Sequence, residues 1–423
     1  MGKYSVAFLA CNRTQNKYDQ ICECNPNSLL RTFYENDKIF VKDLPGMWRY
    51  YDWLPVEGII DECKGRTISY KSEKLASYLG LSRLWIAFNG YWPERDAYMM
   101  TSTFKDLESF PTMQRVKEQN NDDIMVVASA GNTARAFAHV CSLTGQPLLL
   151  VVPEKSVHRL WTINESTDSI FLLSVDGDYT DAITLANKIA EMDGFINEGG
   201  AKNVARRDGM GTVMLDAVME SGELPEHYFQ AVGSGTGGIA VWEASMRLIG
   251  DGRFGDKLPK LHLAQNMPCA PLYKLWSGNG DITSTCPNEM YDDVLFNRKP
   301  PFDITGGVRD ALESTNGLIY PIENYQAQKG QHLFEELEGI DINPASAVAV
   351  ASLIQAVKLG HVGSDETILL NITGGGKERL KRDMNLRPLE VSHSISVGEE
   401  DIEMKIIDKV SEVLRLKRQQ GEL

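Results

Sequence analysis

Histidine and cysteine are scarce in this chain, seven of each among 423 residues, and no histidine precedes His139. The cysteines (Cys11, Cys22, Cys24, Cys63, Cys141, Cys269 and Cys286) fall at irregular intervals. That spacing argues against a disulfide framework and for a reducing compartment. Positive charge is also short: 43 Lys and Arg against 58 Asp and Glu leave a net charge of −15. A field of that sign repels a phosphate backbone, so no nucleic-acid partner is expected. Long hydrophobic runs are missing, Leu148 to Val152 being typical, whereas a membrane span needs about 20 residues. The first residues carry one positive charge and a brief apolar stretch, too little for a secretory signal. A cytoplasmic protein without a membrane partner is the expectation. Low-complexity tracts, internal repeats and Pro/Gly/Ser linkers are lacking as well.

What remains is the composition of a folded globular chain, 43% apolar and 24% charged. At roughly 150 residues per domain the length predicts two or three domains. Apolar runs alternate with helical patterns throughout. Ile124 to Ala128 reads as a strand that enters the loop Ser129, Ala130, Gly131, Asn132 and Thr133. A helix of small and apolar residues follows to Thr144, stopped by Gly145 and Pro147. Leu148 to Val152 is apolar at every position, as a strand covered on both faces should be. The same strand–helix–strand unit recurs from Ile170 and from Tyr228, and near the end a helix, Ala345 to Leu359, precedes the strand Thr367 to Ile372. The predicted fold is α/β, with open parallel sheets and helices on both faces.

Gly233, Ser234, Gly235, Thr236, Gly237 and Gly238 match G-x-G-x-x-G between a predicted strand and helix. A dinucleotide fold would also need an acidic residue at the end of the next strand, and Leu261 to Gln265 ends in an amide. What survives is an anion site, most simply for a phosphate, made of backbone N–H groups at a helix N-terminus.

Thr101, Ser102, Thr103, Phe104, Lys105 and Asp106 place one lysine beside an aromatic ring. In chain order there follow Gly131-Asn132-Thr133, the glycine loop and Thr373-Gly374-Gly375-Gly376. With these four motifs the chain resembles the fold-type II pyridoxal-phosphate enzymes: threonine synthase, the cysteine synthases and the tryptophan synthase β subunit. The resemblance implies two domains with pyridoxal 5'-phosphate in the cleft between them. It makes Lys105 the residue bound covalently to the cofactor, Asn132 the partner of the ring's phenolic oxygen and Thr373 the partner of the pyridine nitrogen. Gly233, Ser234, Gly235, Thr236 and Gly237 would hold the phosphate. Lys105 should sit desolvated, so that it is neutral part of the time and can act as a base. A hydroxyl at Thr373, unlike a carboxylate, does not force a proton onto the ring nitrogen. That suits rapid expulsion of a β-leaving group by way of an enzyme-bound aminoacrylate.

Several segments are more particular. Leu54 to Gly58, Gly90 to Arg95, Ser102 to Lys105, Arg159 to Trp161 and Asn203 to Thr212 are similar to the cysteate synthase family, relatives of threonine synthase. That family makes L-cysteate from O-phospho-L-serine and sulfite, in coenzyme M biosynthesis. A threonine synthase acting on O-phosphohomoserine, or phosphoserine with another nucleophile, remains the alternative. Both expected substrates are anions, so a local cationic pocket is needed within an acidic protein. Lys202, Arg206 and Arg207 are the candidates, with Arg95 and Lys377 behind them. Arginine's fork favours Arg206 or Arg207 as the phosphate ligand. Ser129, Gly131 and Thr133 are expected to hold the substrate carboxylate.

The expected organisation has a small N-terminal module at 1–44, a large cofactor-binding domain at 45–108 and 197–394, a small mobile domain at 109–196 and a C-terminal helix at 395–423. Relatives like threonine synthase often begin with a zinc ribbon of paired cysteines. Here Cys11 lacks its C-x-x-C partner and only Cys22 and Cys24 follow, so a degenerate ribbon with no metal is expected. A homodimer is the family expectation.

Overall fold

The structure is a computed structural model, describing residues 3–11, 13, 16–21, 25–119, 123–129, 131–278, 289–297, 300–396 and 410. The chain divides into two compact units, residues 1–118 with 199–383 and residues 119–198 with 384–423.

The larger unit is built on a six-stranded sheet. Its order is Leu318–Ile322, Lys260–Asn266, His227–Ala231, Ile368–Ile372, Leu84–Phe88 and Ile68–Lys71, parallel except for the last. His227–Ala231 and Ile368–Ile372 are buried at every position, which is why these strands lack a polar alternation. Phe229, Leu370, Ile86, Val348 and Leu353 share one core with the helix Pro344–Lys358. The strand order turns between His227–Ala231 and Ile368–Ile372: the next two strands after His227–Ala231 are added on one side, and the last, Ile368–Ile372, returns to its other side beside Leu84–Phe88. Loops leaving the carboxyl ends of two such strands diverge and open a crevice. The glycine loop leaves one of these ends and Thr373 the other.

Three expected boundaries move. The helix Asp106–Glu118 is continuous and almost wholly buried against the larger unit, so the chain leaves that unit after Glu118 and not after residue 108. Residues 1–44 belong to the same unit: the antiparallel strands Tyr4–Phe8 and Leu30–Tyr34 pack Tyr4, Val6, Phe8 and Leu30 around Val204. Cys22 and Cys24 lie outside the described residues.

The smaller unit holds a five-stranded parallel sheet, ordered Phe195–Asn197, Ile124–Ala128, Leu148–Pro153, Ile170–Asp176 and His393–Ser396. The last strand corrects two expectations, because residues 384–394 join this unit and 395–396 are strand. Within the segment expected as a C-terminal helix, Val410 is buried in this core. Ile402, Ile406, Val413 and Leu414 lie outside the described residues. Among the described residues, no helix is long and apolar enough to cross a membrane.

His139 is buried in the helix Asn132–Thr144, and its Nδ1 lies 3.2 Å from Asn164 Nδ2. Burial pushes its imidazole down to about 4. Unfolding raises that value to about 6.5, so below this pH the unfolded chain takes up a proton that the folded chain refuses. Stability is full above about pH 6.5 and falls as the pH drops toward 4, by about 3 kcal/mol in all. Urea unfolding at about pH 7 and about pH 4.5 should show this loss in the wild type and a smaller one in His139→Gln.

Candidate active site

Lys105 ends a short loop that the larger unit clamps at nearly every residue. The Asp106 carboxylate accepts from the Thr101 N–H at 3.2 Å and from its hydroxyl at 2.5 Å, closing residues 101–106 into a turn. Ser102 adopts φ 56° inside it, a left-handed conformation that non-glycine residues hold only under constraint. The constraint is visible: the Ser102 carbonyl accepts from the Gly375 N–H and from Asn343 Nδ2, both at 3.2 Å. Thr103 and Gly374 form an antiparallel bridge, and the Phe104 N–H donates to the Thr373 carbonyl at 2.9 Å. Thr373 is buried, with its hydroxyl 3.3 Å from Ser346 Oγ. Ser346 also accepts from the Gly374 N–H at 2.9 Å. Lys105 and Thr373, 268 residues apart in sequence, are thus joined through backbone bonds of their immediate neighbours.

The helix Asp106–Glu118 starts directly after the lysine. A spacing of three residues brings Glu108 to the same side, and its Oε2 lies 3.0 Å from Lys105 Nζ. Its other oxygen lies 2.8 Å from Arg206 Nη2. Glu108 is fully buried. Burial pushes its carboxyl up, but the charges and hydrogen bonds of Arg206 and Lys105 outweigh this and hold it below its ordinary value. This changes the surroundings expected of the lysine. Its side chain is 20% exposed and ion-paired, not enclosed in an apolar pocket.

Arg206 reaches Glu108 because the helix Val204–Ser221 approaches Asp106–Glu118 closely at Gly209. A Cβ on Gly209 would collide with the Leu107 carbonyl and stand 2.9 Å from Pro111 Cγ. Pro111 has no N–H to return to that carbonyl, so the glycine faces a spot the helix itself leaves open. Arg207 points elsewhere, about 100° further round the helix. Its Nε donates to Glu243 at 2.9 Å and its Nη groups to the carbonyls of Ala201 and Leu30. Completely buried and donating to protein from each nitrogen, Arg207 cannot serve as the expected phosphate ligand. Arg206 pairs with the Glu108 carboxylate through Nη2. The Arg95 guanidinium lies over Tyr70 and Trp92, 4.1 and 4.7 Å from their ring centres.

Three glycines of the loop approach other chain segments closely. A Cβ on Gly233 would stand 3.0 Å from the Leu295 carbonyl oxygen, one on Gly235 would strike Val308, and one on Gly237 would strike the Gln230 amide. Gly235 also has φ 84°. The loop opens the helix Thr236–Asp251, whose N-cap, Gly235, offers no side-chain cap. The Thr236 N–H donates to Ser234 Oγ at 3.4 Å, and a helix start without an N-cap side chain suits an anion. Ser234 and Thr236 exchange a hydroxyl hydrogen bond of 2.8 Å. Gln265, standing where a dinucleotide fold needs an acid, is buried. Its Nε2 donates to the Gly233 carbonyl at 3.3 Å and its Oε1 accepts from the Tyr273 N–H at 3.1 Å. It braces the glycine loop, and that role requires an amide.

In the smaller unit, Ser129 follows the strand Ile124–Ala128, and its Oγ accepts from the Gly131 N–H at 3.3 Å. Gly131 caps the helix Asn132–Thr144 without a side-chain bond. Asn132 and Thr133 are half-buried at this helix start. Asn132 Oδ1 accepts from Arg135 Nη2 at 2.9 Å, and the Arg135 guanidinium lies 4.7 Å from the Trp161 ring centre. Sequence reasoning does not single out Glu108, Ser346 or Arg135. Only Glu108 had a readable signal, an acid at helical spacing from the lysine.

The residues of the larger unit fit pyridoxal phosphate: a glycine loop at a helix start without a side-chain cap, a buried hydroxyl and an amine, on loops from neighbouring strands and the segment tied to them. Together the fold and these groups define a fold-type II pyridoxal-phosphate enzyme. Residues 65–374 match the family described as "Pyridoxal-phosphate dependent enzyme". Cysteate synthase of Methanococcoides burtonii is 58% identical over 415 residues, 98% of this chain and 99% of that one. Cysteate synthase of Methanosarcina acetivorans is 50% identical over 417 residues, 96% and 99% of the two chains. Among solved structures, the processed form of threonine deaminase isoform 2 from Solanum lycopersicum aligns with a TM-score of 0.56 at 14% identity, covering 82% of this chain and 97% of that one. Maize serine racemase aligns with 0.55 at 14% identity, covering 75% and 91%. At such identities these two show the fold. The chain belongs to the cysteate synthase family of pyridoxal-phosphate-dependent enzymes.

Proposed function

We propose that this enzyme replaces the phosphate of O-phospho-L-serine by sulfite, giving L-cysteate and inorganic phosphate, in the cytoplasm and on the way to coenzyme M. The similarity to cysteate synthases over nearly the whole chain carries the reading. When bound, pyridoxal phosphate supplies the electron sink that lets the Cα proton and the β-substituent leave. The protein groups then have defined tasks. Lys105 Nζ holds the cofactor, takes the Cα proton and later returns it to the same carbon. The N–H groups of Gly233, Ser234, Gly235, Thr236 and Gly237 hold the cofactor's phosphate, with the helix start behind them. Asn132 donates to the ring's phenolic oxygen, and Thr373 contacts the ring nitrogen without protonating it. Ser129, Gly131 and Thr133 receive the substrate carboxylate at the second uncapped helix start.

Over the whole reaction the Cβ–O bond to phosphate breaks and a Cβ–S bond to sulfite forms, with no change of oxidation state needed from an outside reagent. The purified enzyme is expected to release phosphate from phosphoserine when sulfite is present, with cysteate formed in equal amount. Threonine from phosphohomoserine and water, or cysteine from phosphoserine and sulfide, at a higher kcat/KM would replace this reading. A homodimer is part of the proposal and is read from the mass in solution.

A further inference from the structure

We infer that Glu108 is the positioning residue for the catalytic lysine: clamped by Arg206, its carboxylate fixes where the Lys105 ammonium stands whenever the amine is not bonded to the cofactor. The inference rests on the reading that Lys105 carries the cofactor. It concerns what that amine does once a substrate amine has taken its place.

The geometry has three parts. Glu108 offers one oxygen to each cation, Oε2 to Lys105 Nζ at 3.0 Å and Oε1 to Arg206 Nη2 at 2.8 Å. Glu108 is fully buried and Arg206 nearly so, and removing a carboxylate from water is costly unless charge and hydrogen bonds compensate it. Arg206 supplies that compensation from a helix held rigidly against the first at Gly209. A surface glutamate on a lysine three residues away would swing freely and contribute little. This one cannot swing, since its second oxygen is tied. Other charged groups on the two helices are turned to other partners. Asp106 accepts from Thr101, Arg115 donates to the Pro55 carbonyl, Arg207 faces Glu243, and Asp208 faces Arg247. The charges of Arg206 and Lys105 both act on Glu108.

The chemical consequence concerns the proton. When Lys105 Nζ takes the Cα proton it becomes an ammonium, and the electron pair of the broken C–H bond stays with the substrate. Glu108 stabilises that ammonium and keeps it in place until the proton goes back to Cα. The same carboxylate makes the free amine harder to deprotonate, so loading of the cofactor, which needs the neutral amine, should require a higher pH. Arg206 moderates this by drawing on the same carboxylate.

The test is the pH dependence of cofactor loading, read as the rate at which the visible band appears when pyridoxal phosphate is mixed with the full-length, cofactor-stripped chain. Glu108→Gln should lower the pH midpoint of loading by about one unit. Arg206→Gln, which removes the clamp from the carboxylate's other oxygen, should raise it. In steady state Glu108→Gln should lower kcat far more than it changes KM, and Glu108→Asp should restore part of it. A merely structural Glu108 would lower stability without moving the midpoint. Unchanged midpoints in the variants that fold would overturn the inference. Lys105→Ala, run alongside, separates the two claims. Loss of the band there, with unmoved midpoints in the others, rejects the role of Glu108 and leaves the lysine assignment standing.

Discussion

Lys105→Ala should lose the visible absorbance of lysine-bound pyridoxal phosphate and retain at most about a thousandth of the activity. The variant should still fold, because the contacts that shape its loop come from the backbone of Ser102, Thr103 and Phe104 and from the Asp106 carboxylate, not from the lysine side chain. Pyridoxal phosphate is then expected to bind without a covalent link, since the glycine loop lies on a separate element. Spectra before and after gel filtration separate the two modes: the covalent band is absent at once, and any residual cofactor washes out. Full retention of the band would remove Lys105 from its place in the site.

The second large effect is expected from Gly209→Ala. A methyl group there meets the Leu107 carbonyl, a backbone atom that cannot turn aside, with the Pro111 ring 2.9 Å away. The helices Val204–Ser221 and Asp106–Glu118 must part to admit it. Overpacking of this kind costs about 3 kcal/mol, to be measured by urea unfolding. The separation also withdraws Arg206, one turn earlier, from Glu108. Activity at temperatures where the variant is folded should therefore fall as well, and the loading midpoint should rise as it does in Arg206→Gln.

Much of this was legible because it is local. The strand Ile124–Ala128 and the helix ending at Thr144 occupy the predicted residues, since a fully apolar run and a Gly145 stop need no tertiary information. The glycine loop was readable for the same reason, as was its failure as a dinucleotide site at Gln265. The Arg206–Glu108 pair was not. It joins residues 98 apart through the packing of two helices, and a sequence cannot say which of two adjacent arginines turns toward a given neighbour. The boundary expected at residue 108 fell inside a helix that continues past Pro111 to Glu118. The strand His393–Ser396 has four residues with two exposed and one half-buried, too short and too polar to announce its place in a sheet.

The most direct test of the central claim is to find where the cofactor is attached. Borohydride reduction of the holoenzyme fixes the lysine–cofactor bond, and peptide mapping then locates the added pyridoxyl mass. The account predicts that mass on the peptide containing Lys105 and on no other lysine. A label at a different lysine, with Lys105 unmodified, would contradict it.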